Sequence, residues 1–293
     1  MNILGKRYLF FILSALLIIP GMLVLAFGGG LNLAIDFKGG TLLEVSFESG
    51  KTPATEEIKA IYDAKGITDA QITSAGEDRL IIRSASLSDD DRITLIADME
   101  AALNDKITVH RFDTVGATIS EQVTNRAAQA VGLAALGVII YITLAFRGIP
   151  HAFRYGICAV IAMVHDVLVV LSLTAIGGKL FGWQVDSLFL TALLTVIGFS
   201  VQDKIVVFDR IRENSAIYRK LPFETLANHS IVQTLQRSIN TQLMTVEFML
   251  LALALFGGVT LREFAVILLV GLLSGTYFSI FTPAPIIVVW ENN

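Results

Sequence analysis

Long apolar runs alternate with short polar segments over most of the chain. A membrane-spanning helix needs about 20 mostly apolar residues. Runs of about that length lie at about 8–27, 126–146, 153–176, 187–208, 238–256 and 264–290. The first run is too long for the apolar part of a secretory signal and lacks a small-residue cleavage site, so it is expected to remain in the protein. The pattern predicts an α-helical polytopic membrane protein with six transmembrane helices.

Residues 31–125 form the one long segment with the composition of a water-soluble protein. Short β-rich runs lie at about 41–47, 70–74, 79–84 and 107–113, and helical patterns at about 54–65 and 88–103. Their order, βαββαβ, is typical of a small α+β ferredoxin-like domain. We therefore predict an N-terminus with the first helix at 1–30, this domain at 31–125, and five further helices at 126–293.

The positions of lysine and arginine predict how the chain crosses the membrane, because basic short loops stay in the cytoplasm. Basic residues precede the first run, flank the turn after the second and fill a segment at about 209–236. The alternate loops carry only Lys179 and Arg262. Both termini are therefore predicted to be cytoplasmic, and residues 31–125 to be periplasmic or extracellular.

Composition agrees with a membrane protein and excludes several other classes. Hydrophobic residues make up 54% of the chain and charged residues only 16%, which is low for a soluble protein. The net charge is −4 and no basic patch is present, which argues against nucleic acid as a partner. The single cysteine and the absence of hydrolase, zinc and nucleotide-binding motifs predict no enzyme activity, metal or cofactor.

Ionisable side chains inside a bilayer cost several kcal/mol unless they are paired, so they are candidates for function. The candidates within the predicted spans or next to them are His165, Asp166, Asp203, Lys204, Arg237 and Glu247.

Asp203 lies six residues before Asp209, which marks the cytoplasmic end of its span, and is therefore about 9 Å inside it. A desolvated carboxylate near a cation can load and release protons. Arg237 is the candidate cation, because it stays charged and can hold a carboxylate with two hydrogen bonds. The alternative is a static ion pair that joins two helices.

The other intramembrane groups allow more than one interpretation. His165 and Asp166 are neighbours that point about 100° apart, so they serve either as a proton relay or as hydrogen-bonding groups between helices. Lys204 and Glu247 are each costly alone in lipid, so we predict that they pair, although their depths differ. If they do not, Lys204 competes with Arg237 for Asp203.

Four motifs resemble those of one known family. They are IDFKGGT at 35–41, VIGFSVQDKIVVFDRIREN at 196–214, LQRSINTQLMT at 235–245 and GLLSGTYFSIFTPAP at 271–285. Together they resemble the SecD/SecF export proteins of the resistance-nodulation-division superfamily. By motif, the family's membrane carboxylate falls on Asp203 and its essential arginine on Arg237. Other motif positions are Asp36, Gly39, Gly40, Asp209, Arg210, Arg212 and Glu213.

The resemblance covers essentially the whole chain and implies a function. Six spans with one small outer domain match the smaller member of the family pair, half of a twelve-span complex with SecD in the bacterial inner membrane. The complex would act beside the SecYEG channel after the SecA motor, with YidC as a further partner and unfolded preproteins as substrates. The proton is the expected coupling ion. The chain departs from the family at Ala34, Gln202 and Lys204, and near Glu247.

Two other classes of function remain open. The chain could be half of a small-molecule or lipid transporter of the same superfamily, although those proteins have two large outer domains and twelve spans. It could also be a scaffold that assembles SecD or YidC without conducting protons. Proton uptake in vesicles that contain the chain and its partner separates these interpretations.

Overall fold

The structure, a computed structural model, describes residues 3–74, 78–147, 152–243, 248–281 and 283–291. The chain divides into two compact units. The first comprises Met1–Asn32, Ala128–Trp183 and Leu188–Asn293, and the second comprises Leu33–Ala127 and Gln184–Ser187. The short segment Gln184–Ser187 joins the second unit, because Val185 pairs with Leu33 and the Ser187 backbone N–H donates to Asp36. The domain bounds 31–125 and 126–293 stay a prediction.

The elements in chain order are a 3-10 helix (Leu4–Lys6), α1 (Arg7–Phe27), α2 (Ile35–Lys38), β1 (Gly40–Phe47), α3 (Thr55–Ala64), β2 (Gln71–Ser74), β3 (Arg79–Ser84), α4 (Asp89–Leu103), β4 (Ile107–Val115), α5 (Ala117–Ala145), α6 (Ala152–Phe181), α7 (Ser187–Ile217), α8 (Phe223–Gln242), α9 (Phe248–Phe256), α10 (Gly258–Phe281) and α11 (Pro283–Glu291).

Five helical segments of the described chain are long and apolar enough to cross a membrane. They are Leu4–Phe27, Ala117–Ala145, Phe153–Phe181, Ser187–Ile217 and Leu261–Phe278. These segments agree with five of the six predicted spans. The sixth, at about 238–256, includes the end of α8, residues 244–247, which lie outside the described residues, and α9. The count of six therefore stays a prediction.

Helices α6 and α7 contribute most to the interior of the first unit. Half of the apolar window of each is buried, compared with 6% of the window in α5. Helix α5 exposes Leu133, Leu136 and Ile140 instead. Exposed leucine and isoleucine are compatible with the hydrocarbon of a bilayer, which solvates apolar side chains as well as a protein core does.

Helix α1 packs along α6 at a point where its own hydrogen bonding is weakened. Pro20 lies inside α1 and has no N–H, so one carbonyl of the preceding turn loses its helical donor. In that turn, the Ser172 hydroxyl of α6 donates to the carbonyls of Leu17 and Ile18, at 2.8 and 3.1 Å. The two helices are thus joined by hydrogen bonds as well as by apolar contact.

The second unit contains a four-stranded sheet in the order β2-β3-β1-β4, with every neighbouring pair antiparallel. Each βαβ connection therefore joins two strands that have another strand between them, which is the split arrangement of ferredoxin-like units. Alternate residues of β1 and β3 are buried, as expected for strands with one covered face. The core includes Leu43, Val45, Ile58, Tyr62, Leu80, Ile82, Leu95 and Met99. The predicted order of elements, βαββαβ, is confirmed.

Helix α4 begins where its sequence predicts, with Ser88 as the N-cap. The Ser88 hydroxyl accepts a hydrogen bond from the Asp91 backbone N–H at 3.2 Å, and the Asp91 carboxylate accepts one from the Ser88 backbone at 3.3 Å. Hydrogen bonds from the Ser88 side chain and backbone lower the pKa of Asp91. The cap therefore contributes stability above the ordinary pKa of aspartate and loses it as the pH falls through the lowered value.

We predict that Tyr62→Phe leaves the stability of the second unit unchanged or raises it by about 1 kcal/mol. The Tyr62 side chain is fully buried, burial raises its pKa, and its hydroxyl has no hydrogen-bond partner among the described residues. Removing an unpaired buried hydroxyl removes a desolvation cost. As a control, Tyr62→Ala should lose about 3–5 kcal/mol by leaving a cavity. Hydrogen exchange of the sheet amides in the purified protein measures both changes, and a clearly less stable Phe variant would contradict the unpaired hydroxyl.

Candidate functional site

Helix α7 carries two adjacent charged residues in the interior of the first unit. Asp203 is 6% exposed and Lys204 is completely buried. Neighbouring residues on an α-helix point about 100° apart. The two side chains therefore face different helices, Lys204 toward α6 and Asp203 toward α8.

Lys204 forms a buried cluster with Asp166 of α6 and Ser200 of α7. The Lys204 Nζ donates to Asp166 Oδ2 at 2.6 Å, and the Ser200 hydroxyl donates to the same oxygen. Lys204 also contacts the Ser200 hydroxyl, which lies one helical turn before it. All three side chains are at least 98% buried. Opposite charges and the hydroxyl satisfy one another here, as a buried ion pair requires. We call Asp166, Ser200 and Lys204 the lysine cluster.

His165 extends this polar group to α1. Its Nε2 is hydrogen-bonded to the Ser14 hydroxyl, and its Nδ1 lies 3.3 Å from Asp166 Oδ1. The ring also packs edge-on against Phe278, with centroids 4.4 Å apart. A histidine ring can accept at one nitrogen and donate at the other, so these contacts are compatible with both predicted roles, a proton relay and hydrogen bonding between helices.

Asp203 faces an uncharged side chain. Gln242, near the end of α8, donates from Nε2 to Asp203 Oδ2 at 3.2 Å. Within the described part of the chain, the other amide atom, Gln242 Oε1, and the Ser238 hydroxyl are buried without a hydrogen-bond partner. The Asp203 carboxylate thus accepts a hydrogen bond from a side chain that does not titrate.

The structure differs from the prediction of an ion pair between Asp203 and Arg237. The Arg237 side chain is exposed on α8, and no ion pair between it and Asp203 occurs among the described residues. Gln242, which does meet Asp203, lies five residues after Arg237 and thus about 140° further around the helix. Because α8 turns Gln242 inward, it turns Arg237 outward.

Lys204 pairs with Asp166, a carboxylate on α6 that the long lysine stem reaches. Its predicted partner, Glu247, lies outside the described residues, so the pair of Lys204 with Glu247 stays a prediction. Ser200, Ser14 and Gln242 were not predicted as site residues. In each case, the sequence signal was a polar residue within an apolar run.

The charged motif at the end of α7 forms partly exposed ion pairs. Arg212 contacts Asp209 at 2.6 Å, and Arg210 contacts Glu213 at 2.5 Å and the Gln233 side chain of α8 at 2.6 Å. Pairs this exposed each contribute about 0–1 kcal/mol. The end of α7 is therefore partly exposed, and its charged side chains pair with one another. The described residues contain no group of three or more His, Cys, Asp and Glu side chains that could hold a metal ion.

Two family models match the chain. The model of protein export membrane protein SecD/SecF, C-terminal, matches residues 95–293, and the SecD/SecF GG motif matches residues 24–51. The chain is 67% identical to protein translocase subunit SecF of Anaerolinea thermophila, covering 100% of this chain and 94% of the relative. It is 45% identical to protein translocase subunit SecF of Thermobaculum terrenum, and the match covers 99% of this chain and 94% of that relative.

Longer relatives and solved structures are also similar. Protein translocase subunit SecDF of Thermus thermophilus is 36% identical over 91% of this chain, which spans 35% of that relative. The crystal structure of SecDF, a translocon-associated membrane protein of the same organism, superposes on all of this chain with a TM-score of 0.86 and 33% identity. A crystal structure of SecDF in a super-membrane-facing form superposes with a TM-score of 0.66 and 30% sequence identity. The chain spans 39% of each solved chain.

We predict strong coupling between Lys204→Met and Asp166→Asn. Lys204→Met alone strands a buried carboxylate and should destabilise the protein by about 3–5 kcal/mol, whereas the double variant should recover most of that loss. Thermal unfolding of the purified protein in detergent measures the cycle. The matched control combines Lys204→Met with Glu247→Gln and should be additive. Coupling of Lys204 with Glu247 but not with Asp166 would support the pair predicted from the sequence and contradict the lysine cluster.

Proposed function

The chain belongs to the SecD/SecF family of protein export membrane proteins, and we propose that it acts as a SecF-type subunit that uses the proton gradient to promote late steps of export. Relatives named protein translocase subunit SecF, which match it over most of their length, support the export role. The observation that carries the proton role is the burial of Asp203 against the neutral side chain of Gln242. This role includes no catalysed reaction, metal or cofactor.

Asp203 and Gln242 can form two alternative hydrogen bonds. The ionised carboxylate accepts from Gln242 Nε2, as observed. A protonated carboxyl needs an acceptor instead, and Gln242 Oε1 supplies one after the amide turns over. The protonation of Asp203 therefore selects between two contacts of α7 with α8, which is the two-state element that coupling requires.

The lysine cluster supports this role by directing the lysine charge away from Asp203. Lys204 is held by Asp166 and Ser200 on the side of α6. Asp203 can then change its protonation without competing for the ammonium group. His165 and Ser14 form a candidate relay toward Asp166, in keeping with the relay interpretation of His165.

We further propose that SecD covers the face of the chain that carries Arg237. An exposed arginine on a helix close to apolar spans is costly in lipid unless an anionic group meets it. The chain matches only part of the longer SecDF relatives, which supports a SecD partner. The proposed complex lies in the bacterial inner membrane, with both termini cytoplasmic and the second unit periplasmic or extracellular. SecYEG with SecA, and YidC, are the proposed neighbours, and unfolded preproteins the substrates.

Asp203→Asn is expected to abolish gradient-dependent export and proton uptake while complex assembly is retained. The amide has nearly the shape of the carboxyl group but binds no proton. Proteoliposomes that contain the chain with SecD, SecYEG and SecA measure both activities. The control is Asp63→Asn, which makes the same change at an exposed position on α3 and should be silent. Normal stimulation in the Asp203 variant would favour a non-conducting scaffold or a different transporter.

Arg237→Lys is expected to reduce gradient-dependent export about tenfold, because losing one charge-assisted hydrogen bond costs about 1.5 kcal/mol. The lysine keeps the charge but not the planar fork. The same proteoliposomes measure the loss, and Arg219→Lys, an exposed change just after α7, is the control. Full activity would mean that charge alone is needed at this position.

A further inference from the structure

Asp36, in the segment between α1 and β1, caps the start of α7. Its Oδ2 accepts hydrogen bonds from the Ser187 backbone N–H at 2.8 Å and from the Ser187 hydroxyl at 2.7 Å. Both residues belong to the second unit. The first N–H groups of a helix have no partner within it, and a carboxylate there is also favoured by the helix dipole. The contact therefore holds the first turn of α7.

A second contact, two residues away, holds the same two segments. Ala34 donates its backbone N–H to the Val185 carbonyl at 2.9 Å, and Leu33 pairs with Val185 in a short parallel bridge. On the other side, the Thr124 hydroxyl of α5 lies 3.5 Å from the Phe37 carbonyl. The segment around Asp36 thus contacts the beginnings of two long helices, α5 and α7.

Two glycines, Gly39 and Gly40, connect this segment directly to the sheet. Gly39 and Gly40 have φ values of 77° and 120°, which favour glycine. A Cβ on Gly40 would approach the Ser84 carbonyl oxygen to 2.5 Å. Gly40 is also the first residue of β1, which lies between β3 and β4 and pairs with both. Only a few residues therefore separate the cap of α7 from the central strand.

We propose that Asp36 is a positioning residue that transmits displacement of α7 to the sheet of the second unit. The inference rests on the proposed proton-coupled function. Asp203 lies roughly 24 Å beyond Ser187 along the same uninterrupted helix, so a shift driven at Asp203 reaches the first turn of α7. The cap passes that shift to α2 and β1. Without it, the first turn can fray and absorb the motion.

The test separates the capping role from a proton-carrying role. Asparagine caps helices about as well as aspartate, whereas alanine does not cap them. In proteoliposomes with SecD, SecYEG and SecA, Asp36→Ala should lower gradient-driven export by about fivefold or more, while proton uptake stays within about twofold of wild type. Asp36→Asn should keep both activities. Ser187→Ala, which removes only the hydroxyl, should fall between them. Asp63→Ala, an exposed change on α3, is the matched control and should be silent.

Each other outcome has a defined meaning. Unchanged export in Asp36→Ala, or equal loss of export and proton uptake, overturns the transmission role. Failure of Asp36→Ala to assemble with SecD also overturns it, since the motif would then serve folding alone. An Asn variant as defective as the Ala variant would make Asp36 a charged or titrating group. Asp203→Asn is assayed in parallel, and normal activity in that variant rejects the proposed function whatever the Asp36 variants do.

Discussion

A charge buried among apolar helices must find its partner inside the protein, because an unpaired ion there costs several kcal/mol. Lys204 is the completely buried charge of α7, and Asp166 with Ser200 satisfies it. This pairing sets the rotation of α7 about its axis. Asp203, the preceding residue, is consequently turned toward α8, where it meets Gln242. The arrangement around Asp203 thus depends on the lysine cluster.

In the proposed function, the same rotation lets one helix carry a structural ion pair and a titrating group side by side. Lysine beside a proton-carrying aspartate would suppress its protonation if both faced the same direction. Here the two differ in direction by about 100°. The lysine joins α7 to α6, and the aspartate meets a side chain that suits either protonation state. Lys204 and Asp203 are adjacent in the chain, but their side chains are kept apart because they point toward different helices.

At its other end, α7 begins with a cap from the motif that leads into β1. Glycine is required at Gly39 and Gly40 for steric reasons, and the carboxylate of Asp36 is suited to an open helix end. A motif of a few residues therefore combines a helix cap with a strand start. Exposed features such as Arg237 and the apolar face of α5 are the parts of the chain that suit lipid or a partner.

The sequence by itself determined five of the apolar spans, the βαββαβ order, the start of α4 and the buried position of Asp203. These follow from local patterns, because span length, strand alternation and capping depend on residues close together in the chain. Only the tertiary structure decided the partners: Asp166 for Lys204, Gln242 for Asp203 and Ser187 for Asp36. Each partner is far away in sequence, and its choice depends on how neighbouring helices are rotated and how far a side chain reaches. Hydropathy and spacing do not contain that information.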